Sequence, residues 1–478
     1  MNRARTARAV EWTAFAAVAC LLTATTAWAQ WGPDVRLTYD TAASWSTWNN
    51  AWGVAASGDT VHVAWTDGRD LGNDSLQVYY KRSLDGGMTW GPDQRLSGRC
   101  GRGKEAVIAV SGPRVYVAWA ETRSDDEVYF RRSTDAGTTW GPEACLTSEA
   151  WECGAVSMAA SESLVHVVWW GHGDGWDACY YRRSTNSGTS WDTVVTLPDF
   201  KAFTFDPSVA VDRQFVHVAW PLVTTDRGIY YRRSTDRGST WSVPRRIVAD
   251  SGSAEGGSIA ASDSLVHFVW RDDYGHPGVH FKLYYARSTD AGATWQHETA
   301  LVDDTSHARN PSIAASGPRV HVVWWSDRTG KRCLHYKRST DKGLTWSPDT
   351  CLTDSTGNVQ EPSVAVSGAA VHVVWNDQRD GNREIYYKDN PSGNAGVAED
   401  DRPGAVGRPV PLIATVARGE LYLPEAQSTE GTRTCLFDIF GRTVARLHPG
   451  CNDVSGLSPG IYFIRRGPAT VGKVVVQK

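Results

Sequence analysis

An octapeptide that recurs six times constrains this chain more than any other feature. SLDGGMTW (83–90), STDAGTTW (133–140), STNSGTSW (184–191), STDRGSTW (234–241), STDAGATW (288–295) and STDKGLTW (339–346) set their terminal Trp residues 50, 51, 50, 54 and 51 positions apart. A period of this size marks a supersecondary unit that cannot bury its apolar surface alone and must stack on its neighbours. Two other motifs share the period but occur seven times. One is VHVAW (61–65), with relatives ending at Trp119, Trp169, Trp220, Trp270, Trp324 and Trp375; the other is a YYKRS-like run whose last copy breaks off at Tyr386-Tyr387-Lys388.

The mismatch between six and seven is resolved at the ends of the repeat region. QWGPDVRLT (30–38) reads like the tail of the first repeat, TWGPDQRLS (89–97), so an N-terminal strand is predicted to complete the last unit and leave no free sheet edge. Within the sixth repeat, strands are predicted at 312–316, 320–325, 334–339 and 349–353, each bounded by turn residues. Fifty residues divided in this way leave no room for crossover helices. The predicted fold is all-β: a seven-bladed β-propeller of four-stranded blades over residues 30–388, its last blade closed by the N-terminal strand. The 23 Trp and 45 Gly suit many short strands and turns.

The composition of the octapeptide has a physical cause. Its Gly permits a positive φ in the turn, its Asp accepts backbone N–H groups, and its Trp packs the turn onto the blade. SxDxGxTW resembles the Asp box, or BNR repeat, of the sialidase-like β-propeller superfamily, and the likeness runs from residue 31 to about 388. The resemblance implies that the boxes, centred on Asp85, Asp135, Asn186, Asp236, Asp290 and Asp341, join third and fourth strands on the face away from the active site. They then specify fold and not chemistry. Sialidases of this superfamily also carry an Arg-Ile-Pro, which this sequence lacks, and catalytic sialidases have six blades.

Residues 1–29 are predicted to be a signal peptide: Arg3, Arg5 and Arg8 precede a short apolar run, and Ala27-Trp28-Ala29 forms a small-x-small cleavage site. No later stretch is apolar enough to span a membrane in the mature chain. Export favours disulfides, and Cys435–Cys451 and Cys333–Cys351 are the expected pairs; no CxxC spacing points to a metal. A Gly- and Pro-rich linker (389–411) leads to residues 412–478, predicted to form a small Ig-like β-sandwich. Its LFDIFGRTVARL, DVSGLSPGIYFIRR and terminal GKVVVQK resemble the C-terminal sorting domain of type IX (Por) secretion. The resemblance implies the type IX machinery as a partner and a secreted or outer-surface location.

Departures from the repeat are where function is expected. Trp45, Trp48, Trp52, Trp151 and Trp176 fall in or beside variable loops, where aromatic rings stack on sugars or on peptide side chains. Trp170 and Trp325, beside strand Trp residues, are expected to pack loops. Glu105, Asp206, Asn310 and Glu361 share one position at the start of the first strand, with Arg309 beside it, and are expected either to bind ligand at the channel mouth or to cap it as solvated charge. The acid and Arg in TDGRD (66–70), TTDR (224–227), SDR (326–328) and NDQRD (376–380) recur between repeats and read as turn-stabilising ion pairs. The strand His residues (62, 166, 217, 267, 321 and 372) recur as well and read as packing between blades. The net charge of −4 gives no reason to expect nucleic acid, and no cofactor is called for. Binding of a glycan or extracellular protein through the loop face, without chemistry, is the leading expectation. A sialidase-like glycoside hydrolase (an exo-sialidase) is the alternative, with catalytic residues unassigned.

Overall fold

The valine-rich, turn-punctuated repeats become strands, as their composition dictates, and no helix occurs among the described residues. The structure is a computed structural model. It describes residues 31–46, 53–70, 76–98, 102–123, 126–147, 152–173, 176–198, 204–222, 227–248, 254–273, 281–302, 307–328, 330–353, 357–393, 412–417, 420–423, 434–438, 442–448, 450–466 and 469–476.

Between residues 35 and 390 the strands form seven antiparallel sheets, one per repeat. The sixth contains Ala308–Ser316, Arg319–Ser326, Cys333–Ser339 and Thr350–Cys351 in chain order. Its first strand starts earlier than predicted because pairing continues across a bulge between Arg309 and Ser312. In the last sheet the outer strand is Val35–Arg36, with Val35 opposite Tyr387 and Arg36 opposite Tyr386. The N-terminal segment thus covers the edge that the truncated final repeat leaves open.

The first strands pack in a closed cycle. Val54–Ser57 lies against Arg102–Ser111, and the contact passes through Glu152–Ser161, Ser208–Asp212, Glu255–Ser262, Ala308–Ser316 and Gln360–Ser367 back to Val54–Ser57. Where they converge, a central cavity is lined by Ala55, Ala109, Ala159, Ala210, Ala260, Ala314 and Ala365, all at one repeat position. A methyl group is what fits where seven backbones crowd an axis. Serines stitch neighbouring strands across this crowd: Ser157 Oγ accepts the Val209 N–H at 3.2 Å and Ser208 Oγ that of Ile259 at 3.1 Å.

Each VxVxW strand sends its Trp between sheets. All seven of these residues, Trp65 to Trp375, are fully buried, and each apolar cluster of the repeat region is drawn from consecutive sheets. The octapeptide turns add a second layer of contacts. Trp140 meets Tyr80 of the preceding sheet edge-on, with centroids 4.9 Å apart, and the same contact links Trp31 to Tyr336 and Trp90 to Tyr387 across the closure. The box Trp therefore packs its turn onto the neighbouring sheet. Two adjacent aromatics in the third strand make this possible, since one faces each way.

Inside the turn, Asp135 accepts the Thr139 N–H at 2.8 Å and the Ser133 and Thr139 hydroxyls at 2.6 Å. These bonds hold its carboxyl well below the ordinary carboxylate range. Gly137 has φ +81°, and a Cβ there would sit 1.9 Å from Tyr80 Oη. Glycine is thus required twice over, by conformation and by space.

Leu412–Ala417, Ala469–Val476, Gly460–Arg466, Thr434–Phe437 and Thr443–Leu447 form a separate five-stranded sheet, while Glu420–Leu423 pairs with Gly450–Asp453. Leu421 and Val454 share a core with Leu436, Ile464 and Val476. Cys435 is a free thiol on the five-stranded sheet; the side chain of Cys451, its expected partner, lies outside the described residues. Cys333 and Cys351, on adjacent strands with Cα atoms 6.1 Å apart, are joined by a disulfide.

Candidate functional site on the loop face

The segment leading into the first strand puts one residue in left-handed backbone in six of the seven repeats: Glu105 (φ 53°), Ala155 (50°), Asp206 (42°), Gly256 (57°), Asn310 (49°) and Glu361 (50°). Five of these six are not glycine, so the mouth of the cavity carries a repeated local strain of about 1 kcal/mol or more per residue. What repays it is visible in the hydrogen bonds. Glu105 Oε2 accepts the Ala155 N–H of the next bulge, and Asp206 accepts a backbone N–H from Gly256. Glu361 is buried and accepts from Asn376 Nδ2 and Ser46 Oγ.

Glu361 is buried, and Glu105 and Asp206 are half-buried. Loss of solvent pushes Glu105 and Glu361 up to about 7 and Asp206 to about 6, and repulsion from Asp206 raises Glu105 further, as Glu105 does Glu361. Each accepts hydrogen bonds that tie strands together.

The remaining positions around the mouth divide it into two unlike halves. Three residues before the paired aromatics of the third strand, the second and third sheets carry Asp126 and Asp177, whereas the sixth and seventh carry Arg332 and Arg383. Asp126 pairs with Lys104 at 3.0 Å and Asp177 with His172 at 2.7 Å. On the other half Arg271 and Arg309 join Arg332 and Arg383. Arg271 and Arg309 lie 4.9 and 5.4 Å from the centroid of Phe281, Arg309 and Arg332 lie 5.8 and 4.5 Å from Trp325, and Arg383 lies 3.7 Å from Trp45. Burial lowers Arg309, and repulsion from Arg271 and Arg332 lowers it further; Arg383 is lowered by burial and by Arg332 while Glu361 opposes this. Four guanidinium groups therefore interact across three sheets. Arg271 pairs with Glu255, Arg332 bonds Asn358, and Arg309 forms no ion pair with a described residue.

Trp45 is half-buried, in a two-residue strand, Ser44–Trp45, that takes the pairing place of the bulge segment in the first sheet. Trp325 is buried and donates to Asn310 Oδ1 at 3.0 Å, and so serves the loop packing expected of it. Trp170 stacks at 6.0 Å on Phe205, whose ring is 41 % exposed. Trp176 opens the strand Trp176–Ser184; its side chain, like Trp48, Trp52 and Trp151, lies outside the described residues. Arg271, Arg332, Arg383, Phe205 and Phe281 were not singled out from sequence. Their signal was present as non-consensus residues in otherwise regular columns.

The recurring acid and Arg pairs stand apart from this cluster. Arg69 bridges Asp67, Asp40 and Asp93, and Arg379 bridges Asp377 and Asp34, so these guanidinium groups are occupied in holding loops. The strand His residues bond tyrosine within their own sheet, as in His62 Nδ1 to Tyr80 Oη at 2.7 Å, and burial lowers them to about 3 or 4. No group of His, Cys, Asp and Glu suited to a metal occurs among the described residues.

Comparison with known proteins agrees with this architecture. Residues 213–424 match the model of the BNR repeat-like domain, which supports placing the repeats with the BNR, sialidase-like β-propellers. Among solved structures, an ulvan lyase of polysaccharide lyase family PL25, bound to -[GlcA(1-4)Rha3S]-, is 10 % identical with a TM-score of 0.53, covering 74 % of this chain and 95 % of its own. The phage phi92 endosialidase is 12 % identical with a TM-score of 0.47, covering 90 % and 80 %. Trypanosoma rangeli sialidase is 12 % identical with a TM-score of 0.42, covering 63 % and 56 %. No curated protein sequence matches the chain. The protein has an all-β, propeller-like fold.

Proposed function

We propose that this chain is an exported, seven-bladed β-propeller that binds glycan through its loop face without transforming it, and that residues 412–478 direct type IX secretion to the exterior or the outer cell surface. The observation that carries the binding reading is the asymmetric set of aromatic planes and guanidinium groups on a face otherwise built from repeats. Phe205 on Trp170, and Trp45 under Arg383, offer apolar surface beside hydrogen-bond donors, the combination that sugar rings require. Seven sheets in one cycle support the blade count.

The hydrolase alternative draws support from the raised carboxyls of Glu105, Asp206 and Glu361, since a general acid must hold its proton near neutrality. The hydrogen bonds they accept from neighbouring strands favour a structural role instead. A glycan array probed with the full chain, beside Phe205→Ala and Trp45→Ala, tests the binding reading: retained folding with lost binding is expected. Turnover of a glycoside panel, abolished in Glu361→Gln, would instead establish the hydrolase.

A further inference from the structure

The basic half of the loop face is organised as a path and not as a point. Phe281 lies between Arg271 and Arg309, Trp325 lies between Arg309 and Arg332, and Arg383 follows over Trp45. The order of these residues follows the fifth, sixth, seventh and first sheets around the mouth. A single carboxylate would need the guanidinium groups to converge on one spot. Here aromatic surfaces are interleaved between them, and cations and apolar planes alternate along the row.

We propose that this row binds a linear polyanionic polysaccharide, its sugar rings against Phe281 and Trp45 and its successive carboxylate or sulfate groups on Arg309, Arg332 and Arg383, with the buried Trp325 holding Arg309 and Arg332 in place. This rests on the glycan-binding reading above and names the ligand class for the same face. Guanidinium suits both anions because its fork of N–H donors matches paired oxygens. Arg309 has no ion pair with a described residue to break, and repulsion from Arg271 and Arg332 outweighs the attraction of Asp327 and Glu255, so an anion beside it is favoured. The second and third sheets supply the converse: they carry Asp126 and Asp177 where the sixth and seventh carry Arg332 and Arg383, which disfavours a polyanion there. The chain is thereby confined to one track.

The test is calorimetric titration of the full chain with polygalacturonate, dextran sulfate, neutral dextran and a DNA oligonucleotide of matched charge. Binding of one or both anionic polysaccharides, weakening at least tenfold between low and high salt, is expected; which of the two binds distinguishes carboxylate from sulfate. The double variant Arg309→Gln/Arg332→Gln should lose at least tenfold in affinity and show a shallower salt dependence. Arg213→Gln, beside a turn on the opposite face, should change neither. Binding of neutral dextran without preference for the anionic polymers would overturn this inference and leave the glycan reading standing. Binding of none of the polysaccharides, or of the oligonucleotide as tightly, would overturn both.

Discussion

The two faces of the ring solve opposite problems with the same repeat. On the octapeptide face one contact is copied around the cycle: a box Trp meets a third-strand aromatic of the preceding sheet, seven times over with Trp31 included. An Arg from that sheet reaches the carbonyls of the same turn, as Arg132 does with Ser187 at 2.8 Å and Arg183 with Arg237 at 2.9 Å. On the loop face equivalent positions hold Asp126, Asp177, Arg332 and Arg383. The difference teaches that ring closure is enforced at one end of the sheets, which frees the other end to vary. Even the copied face has one exception, where Asp389 stands in place of the Arg and Tyr387 Oη alone donates to Gly86 at 3.0 Å.

If the octapeptide face carries stability, its substitutions should dominate. Gly137→Ala should cost about 3 kcal/mol or more, from overpacking against Tyr80 and from a left-handed Ala. Gly86→Ala, at φ +73° with nothing within 4 Å of its Cβ, should cost only about 1 kcal/mol. Equal losses in denaturant unfolding would refute the steric account. Ser133→Ala, which leaves the Gly137 N–H without its acceptor at 2.8 Å, should cost about 1–2 kcal/mol by the same measurement.

The faces should also respond oppositely to pH. The strand His residues are held near 3 or 4 against an ordinary 6.5, so the folded state binds fewer protons and their contribution, complete above 6.5, is lost as pH falls. Glu105 and Glu361 sit near 7 against an ordinary 4.5, so the folded state holds their protons longer. Their contribution, complete below 4.5, is lost as pH rises through 7. Melting temperature should therefore peak at mildly acidic pH, and Glu361→Gln should flatten the alkaline limb alone. A curve unchanged by that substitution would place the sensitivity elsewhere. The smallest stability effect is expected for Arg383→Gln, within about 0.5 kcal/mol of the parent in thermal unfolding, because it makes no ion pair with a described residue.

Much of the fold could be read from spacing. The octapeptides, the VxVxW strands and the resemblance of QWGPDVRLT to TWGPDQRLS were enough to predict the sheets and the covering N-terminal strand. The site was legible only in part. Trp45, Glu105, Asp206, Arg309, Asn310 and Glu361 all fall at the mouth, but the sequence could not say that the three acids are tied into neighbouring strands. Nor could it say that Trp325 is a buried wall of the Arg row.

What the sequence by itself determined is periodicity: where strands and turns lie, which residues are interchangeable copies, and which columns depart from the copy. Local chemistry suffices for that, since a turn's Asp and Gly act within a few residues. What only the tertiary structure decided is which departures meet. Arg271, Arg309, Arg332 and Arg383 are spread over more than a hundred residues of chain, and they become neighbours because the seven first strands close on one axis.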